Sequence, residues 1–472
     1  MHTGIGKKFL VLLYASASFA LANPTVTIPS GTIVGTTLAP QNQPTVTAKA
    51  NAYLGVPFAK SPPERFKPPE KPEAWTTPLK AQEYKPACIQ HDPGNSEDCL
   101  YLNVYTPPDA SPSNKKSVMF WIHGGNLQNG SAVMPVYSGS SLAVNEDVIV
   151  VTINYRLSIF GFSNAFKLPK GERNVGFLDQ RLALDWVHHN IEYFGGEPAN
   201  VTLFGESAGG YSVKQLLANP PSPLPFRAAI LQSQQTLFFG EAHWSWLRAL
   251  KHLNCFDLAC VKRRSWEDIK DVIESEKIGF RPENDGVTSY DDIRESIETG
   301  KFANVPLMLG TNKDEGTVFV KPILDQLVTD LIFTCPTARI ADYAAKRDHK
   351  IWRYRYSGVF SNITPFPHAG AWHGVEIPEV FGTYPLENEK GKATEEQVEL
   401  SAYMQHVWAS FAKDPSAGPG WAKVGKYPWN RVMADFGNRG STNHKMIPSW
   451  KTDHACEVLY KLSKDLPTRF WW

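Results

Sequence analysis

The stretch LFGESAGG, residues 203–210, decides how this chain is read. It sets Ser207 between Gly205 and Gly209, behind a short apolar run and ahead of AGGYSVKQLLA (208–218). Glycine makes up about 7% of ordinary chains and serine about as much, so a G-x-S-x-G string arises by chance at roughly 3 in 10,000 positions. In 472 residues that is too often for the string to carry a conclusion alone. Its surroundings have to decide.

NVTLF (200–204) reads as a strand and 208–218 as a helix. A serine at a strand-to-helix turn is the setting of a nucleophile elbow. Small neighbours let strand and helix approach, and the helix N-terminus brings a positive dipole end toward any developing oxyanion. Further apolar runs lie at SVMFWIH (117–123), DVIVVTINY (147–155), RAAILQS (227–233) and VPLMLGTN (305–312). Runs without alternation suit parallel strands covered on both faces. GFLDQRLALDWVHHNIEYF (176–194) places Leu178, Leu182, Trp186 and Ile191 near one helical face. The alternating TVTIPSGTIVGTT (25–37) reads as an antiparallel hairpin. This alternation of strands and helices predicts an α/β class with a mostly parallel sheet covered by helices. No domain boundary or repeat is visible.

Lys7 and Lys8 precede FLVLLYASASFALA (9–22), with Ala20-Leu21-Ala22 before Asn23. A basic start, a short apolar core and a small-residue end form a secretory signal peptide, expected to span 1–22. The chain from 23 to 472 is then a single secreted catalytic domain. No stretch is long enough to cross a membrane. The formal charge of +1 and the lack of a basic block give no reason to expect nucleic acid as a partner. Six cysteines in an oxidising compartment suggest three disulfides, in pairings the spacing leaves open. No C-x-x-C pair points to a metal. Asn129, Asn200 and Asn362 head glycosylation sequons.

A serine hydroxyl needs a base, and the base needs an acid to orient it. In this fold the order is serine, acid, histidine. His349, His368, His373, His406, His444 and His454 follow, and spacing does not choose among them. HGGN (123–126) suits a loop of backbone N–H donors for an oxyanion, although taken by itself it reads more readily as an ordinary glycine turn.

Five segments in order resemble the type-B carboxylesterase/cholinesterase family of α/β-hydrolases, in its fungal secreted branch. They are YLGVPFAKSP (53–62) with Arg65-Phe66, EDCLYLNVYTP (97–107), FGGEPANVTLFGESAGG (194–210), NKDEGTVF (312–319) and HGVEIPEVFG (373–382). The resemblance implies the α/β-hydrolase fold, Ser207 as nucleophile, Glu315 as acid and His373 as base, with no cofactor. Asp314 is the rival acid, and His368 a loop residue. It implies backbone donors at Gly125, Asn126 and Ala208, although most relatives carry glycine where Asn126 stands. Asn tolerates positive φ better than most residues. Glu206 and Ser233 would join the hydrogen bonds around the triad. The implied disulfides are Cys88–Cys99, Cys255–Cys260 and Cys335–Cys456.

The expected reaction is hydrolysis of small to medium carboxylic esters through an acyl-enzyme. The loop IQHDPGNSED between Cys88 and Cys99 is too short and polar for an amphipathic lid, which disfavours a lipase or sterol esterase. It also holds no Trp to meet a quaternary ammonium. A non-catalytic binding protein on the same fold is disfavoured by the retained triad residues. Only GTVFVKPILDQLVTDLIFT separates Glu315 from Cys335, several tens of residues shorter than in relatives. Loss of a wall there is expected to widen the acyl site or weaken the fold. Oligomeric state is not legible.

Overall fold

Eleven strands form one sheet, and the side chains of its central strands explain why their sequences do not alternate. In chain order the strands are β1 (Thr36–Leu38), β2 (Ala50–Pro57), β3 (Tyr101–Thr106), β4 (Lys116–Ile122), β5 (Ile149–Ile153) and β6 (Gly196–Glu206). They continue as β7 (Ala228–Gln232), β8 (Leu307–Asn312), β9 (Ile351–Tyr356), β10 (Val432–Phe436) and β11 (His444–Pro448). In space they run β11-β10-β9-β8-β7-β6-β4-β5-β3-β2-β1. Every neighbouring pair from β5 through β10 is parallel, and the pairs at both margins are antiparallel. Val118, Phe120 and Ile122 of β4 enter one core, while Met119 and Trp121 enter the other. Leu307 and Leu309 against Met308 repeat the pattern in β8. Period-two burial on two apolar faces gives a continuous apolar run. This is the α/β-hydrolase architecture that the sequence predicts.

This computed structural model describes residues 23–463 except 44, 92 and 237–241. The expected signal peptide at 1–22 lies outside the described residues. Among them, no helix is long and apolar enough to cross a membrane.

The predicted hairpin is present: Thr25–Ile28 pairs antiparallel with Gly31–Val34, before the chain enters β1. The helix expected over 176–194 runs from Val175 to Asn190 and finishes as a 3₁₀ turn, Ile191–Phe194. Trp186 and Ile191 are buried as expected, but the other half of the predicted face differs. Leu178 and Leu182 are only half-buried, and the buried side carries Phe177, Ala183, Leu184 and Val187. Two polar residues on the buried side account for the misreading. Asp179 accepts from the Arg156 guanidinium at 2.7 and 2.8 Å, and Gln180 donates to Ser212 at 3.0 Å.

Cys88–Cys99, Cys255–Cys260 and Cys335–Cys456 are all bonded. Arg65 donates to Glu97 at 2.6 Å and to the Arg264 carbonyl at 2.7 Å. It ties the first disulfide loop to the segment just after the second. Of the three sequon asparagines, Asn129 is exposed, Asn200 half-buried and Asn362 buried. Asn362 also donates its amide to the Tyr384 carbonyl. A glycan on Asn362 would require the surrounding turn to open.

Candidate active site

Ser207 caps the helix Ala208–Ala218 with φ 57° and ψ −119°, a conformation strained for any residue with a side chain. The strand and helix that enforce it are in near contact. A Cβ on Gly209 would lie 1.9 Å from the Ile122 carbonyl oxygen, and one on Gly205 2.7 Å from the Gly209 carbonyl carbon. The Ser207 N–H donates to the Gln232 carbonyl on neighbouring β7 at 2.9 Å. The elbow is therefore bolted to the sheet on both sides.

Strand order explains how the HGGN loop reaches this point. β4 precedes β6 by two strands in sequence but lies next to it in space, because β5 crosses to the far side of β4. The loop leaving β4 thus rises beside the elbow, and a Cβ on Gly124 would sit 3.1 Å from Ser207 Cβ. Gly125, Asn126 and Leu127 all have positive φ, at 101°, 57° and 57°. Asn126 adopts the left-handed backbone its residue type tolerates. The backbone N–H groups of Gly125, Asn126 and Ala208 have no acceptor among the described residues. They are donors in want of an acceptor beside the serine.

The other partners arrive from β8 and the loop after β9. Glu315, fully buried, accepts from the Asn312 N–H at 2.7 Å with one oxygen and faces His373 Nδ1 at 2.6 Å with the other. His373 Nε2 lies 2.8 Å from Ser207 Oγ. Asp314, the rival carboxylate, points elsewhere: it accepts from the Ala371 N–H at 2.9 Å and so fastens the histidine loop. Asn312 secures the same loop by donating to the Trp372 carbonyl at 2.8 Å. His368 is exposed and away from this relay.

Glu206 places a carboxylate oxygen 3.1 Å from His373 Nε2. Burial alone would pull the imidazole down, but the charges of Glu206 and Glu315 outweigh it and raise His373 to about 9. Burial raises Glu206 to about 8, with His373 opposing and Glu376 and Glu315 adding to the rise. Glu376, also buried, is raised by burial and then by Glu315. The groups titrate as a coupled cluster rather than singly.

The expected place of Ser233 in this network is corrected by the coordinates. Its residue is buried with φ 45°, but its hydroxyl has no hydrogen-bond partner among the described residues. The backbone holds it instead, through its N–H to the Gly310 carbonyl at 2.8 Å.

Three features of the site escape the sequence reading. Gln235 accepts from Ser207 Oγ at 3.2 Å and donates to Asn126 Oδ1 at 2.6 Å. Glu376 accepts from Asn312 at 2.6 Å and from Gln232 at 3.0 Å, bracing the acid loop against the histidine loop. Phe319 and Phe333 set their rings 5.1 and 4.6 Å from the His373 ring. Glu376 falls within the quoted histidine segment and was within reach. Phe319 closes the acid-loop segment NKDEGTVF, while Gln235 and Phe333 have no local motif, since chain segments far apart bring them to the site. Both phenylalanines come from the shortened stretch, so it covers the histidine rather than leaving it open. Ser207 itself is only 5% exposed.

Residues 22–327 and 319–447 match the Carboxylesterase family. The chain belongs to the carboxylesterase family. The two matches meet at 319–327, inside the stretch that the sequence marks as short. This carboxylesterase is 35% identical over 426 residues to the para-nitrobenzyl esterase of Bacillus subtilis (strain 168), covering 76% of this chain and 86% of the relative. It is 31% identical to the acetylcholinesterase of Bungarus fasciatus, covering 85% and 80%. Among solved structures, a PNB esterase superposes with a TM-score of 0.78 at 31% identity, covering 93% of this chain and 100% of that one. A thermophilic PNB esterase gives 0.79 at 30% identity. The carboxylesterase is accordingly a carboxylic-ester hydrolase.

Proposed function

We propose that this enzyme hydrolyses small to medium carboxylic esters through an acyl-enzyme on Ser207, with His373 as general base and Glu315 as its orienting acid. One observation carries the reading: the unbroken relay from Ser207 Oγ to His373 Nε2 at 2.8 Å and from His373 Nδ1 to Glu315 at 2.6 Å. Ser207 Oγ attacks the ester carbonyl carbon as its proton passes to His373 Nε2. The carbonyl electrons collect on oxygen, where the N–H groups of Gly125, Asn126 and Ala208 receive them. One such donor supplies about 3–4 kcal/mol. The intermediate collapses, the carbon–oxygen bond to the alcohol breaks, and His373 returns its proton to that alcohol. Water then gives a proton to His373 and attacks the acyl carbon. Ser207 recovers its proton as the carboxylic acid leaves.

No metal or organic cofactor enters this chemistry. We place the protein in the secreted fungal branch of the family, as one catalytic domain after removal of 1–22. Three disulfides support an oxidising compartment.

Hydrolysis of p-nitrophenyl esters from acetate to palmitate tests the substrate class, with highest kcat/KM expected at acetate or butyrate. A second reading, a lipase or sterol esterase, draws on exposed apolar residues of the short stretch, Phe319, Ile323, Leu324 and Leu327. It requires preference for palmitate and activation by an interface.

A further inference from the structure

We propose that the turn 426–430, with Lys423, Trp450 and Lys451, binds an acidic polysaccharide, a sugar chain that carries carboxylates, on a surface turned away from the catalytic serine.

The fold holds an aromatic turn out in solvent rather than hiding it. Lys426-Tyr427-Pro428-Trp429-Asn430 is exposed at every position. Trp429 is 80% exposed and Tyr427 51%. Their rings lie parallel, with centroids 4.9 Å apart. The turn that carries them is closed on itself. Tyr427 N–H donates to Asn430 Oδ1 at 3.0 Å, and Asn430 N–H donates to the Tyr427 carbonyl at 3.1 Å. Pro428 fixes a backbone angle between the two rings. A Cβ on Gly425 would meet Asn430 Oδ1 at 2.0 Å, so glycine there leaves room for that side chain. The ring pair is set in place before a partner arrives, which lowers the entropy lost on binding.

A second indole stands at the same end of the sheet. Ser449 N–H donates to the Arg431 carbonyl at 3.0 Å, one step beyond the Val432–Pro448 pair of the β10–β11 ladder. Trp429 and Trp450 therefore flank the open end of that strand pair, and Trp450 is 64% exposed. β10 runs parallel to β9, so its amino end points away from the carboxyl ends of β6, β8 and β9. Ser207, Glu315 and His373 all follow those carboxyl ends. A polymer held at this surface leaves the triad uncovered.

Charge selects the partner. Three carboxylates at this end are already paired: Asp348 with Lys426 at 3.4 Å, Asp453 with Arg353 at 2.6 Å, and Asp342 with Arg431 and Lys346. Lys423 and Lys451 are exposed and have no carboxylate at ion-pair distance among the described residues. Lys451 Nζ stands 6.0 Å from the centre of the Trp450 ring. Open indoles beside unpaired ammonium groups suit a ligand that joins apolar C–H faces to negative charge. A pyranose ring lays its C–H face on an aromatic ring, and a carboxylate at its rim meets a lysine. A neutral glycan leaves both lysines unused. A bilayer rewards inserted aliphatic groups, and the exposed turn 426–430 holds no Leu, Ile, Val or Met.

The test is retardation of the protein in native gels containing polygalacturonate, across a series of salt concentrations. The wild type is expected to be retarded, less so as salt screens the charges. Trp429→Ala and Trp450→Ala are each expected to weaken binding roughly tenfold or more. Lys423→Gln with Lys451→Gln is expected to remove most of the salt dependence. Unfolding temperatures and p-nitrophenyl acetate hydrolysis are expected to stay at the wild-type level, because the altered side chains are exposed and lie away from the triad. No retardation of the wild type overturns the proposal, as does equal retardation of every variant. Equal retardation by neutral hydroxyethyl cellulose overturns the role of charge. Binding to phosphatidylglycerol vesicles without binding to polygalacturonate assigns the surface to lipid and overturns it as a sugar site.

Discussion

At the scale of the residue, the site is a contest over protons on His373. Glu315 holds Nδ1, and Glu206 stands at Nε2, the nitrogen that faces Ser207 Oγ. The charge of Glu206 favours the imidazolium, which cannot act as a base. As the proposed base, His373 would become available only as pH rises through the titration of the cluster, so kcat/KM is expected to rise with pH in the wild type. Glu206→Gln removes that charge while keeping the shape. The acid limb of the profile should then move to lower pH by about one to three pH units, measured on p-nitrophenyl acetate. An unmoved limb would assign the titration to another group. Ser207, Glu315 and His373, which the structure brings together, were singled out because each sits in a segment of the family's fixed order, whereas spacing left the histidine open. Sequence reading did not reach Gln235, whose neighbours Gln234 and Thr236 give no periodic or motif signal. Ser233 was overread, because its backbone rather than its hydroxyl is used.

At the scale of the element, the elbow depends on how closely two backbones approach. Gly209 lies where any Cβ would overlap the Ile122 carbonyl, so the helix and β4 must part to admit one. Gly209→Ala is expected to tilt the elbow helix, moving Ser207 away from His373. A displacement near 1 Å costs about 100-fold in rate. The expected signature is a fall in kcat/KM of that order with the far-ultraviolet dichroism retained. Sequence reading located this element well, since apolar strand, glycine-fenced serine and helix are contiguous. The helix Val175–Asn190 was located and Trp186 placed inward, but Leu178 and Leu182 were wrongly put on the buried side, because buried Asp179 and Gln180 make part of that side look polar. Such satisfied polar pairs are invisible until their partners, Arg156 and Ser212, are known.

At the scale of the whole molecule, the two apolar faces of one sheet supply the rigidity, and disulfides close the long loops. Cys335–Cys456 spans 121 residues, whereas Cys255–Cys260 spans 5. Chain entropy makes the longer bridge the more stabilising, and removing it typically costs about 2–5 kcal/mol. The double variant Cys335→Ala with Cys456→Ala should unfold at markedly lower urea concentration. Removing the pair at 255 and 260 should shift the midpoint much less. Equal shifts would contradict the loop-length account. The central parallel strands were legible from their apolar runs and the bridges from family order, whereas the antiparallel margins of the sheet were not read. Neither was the behaviour of the short stretch after Glu315. Its loss of residues was expected to widen the acyl site or weaken the fold; what the sequence did not show is that Phe319 and Phe333 pack against the His373 ring.

The most direct measurement is reaction of the intact protein with a fluorophosphonate, followed by peptide mass spectrometry and parallel assay of p-nitrophenyl butyrate. The account predicts one adduct per chain, on Ser207, with turnover falling in step. It also predicts no adduct and at least about 1,000-fold lower kcat in Ser207→Ala. Labelling at another residue, or undiminished hydrolysis by Ser207→Ala, would contradict it.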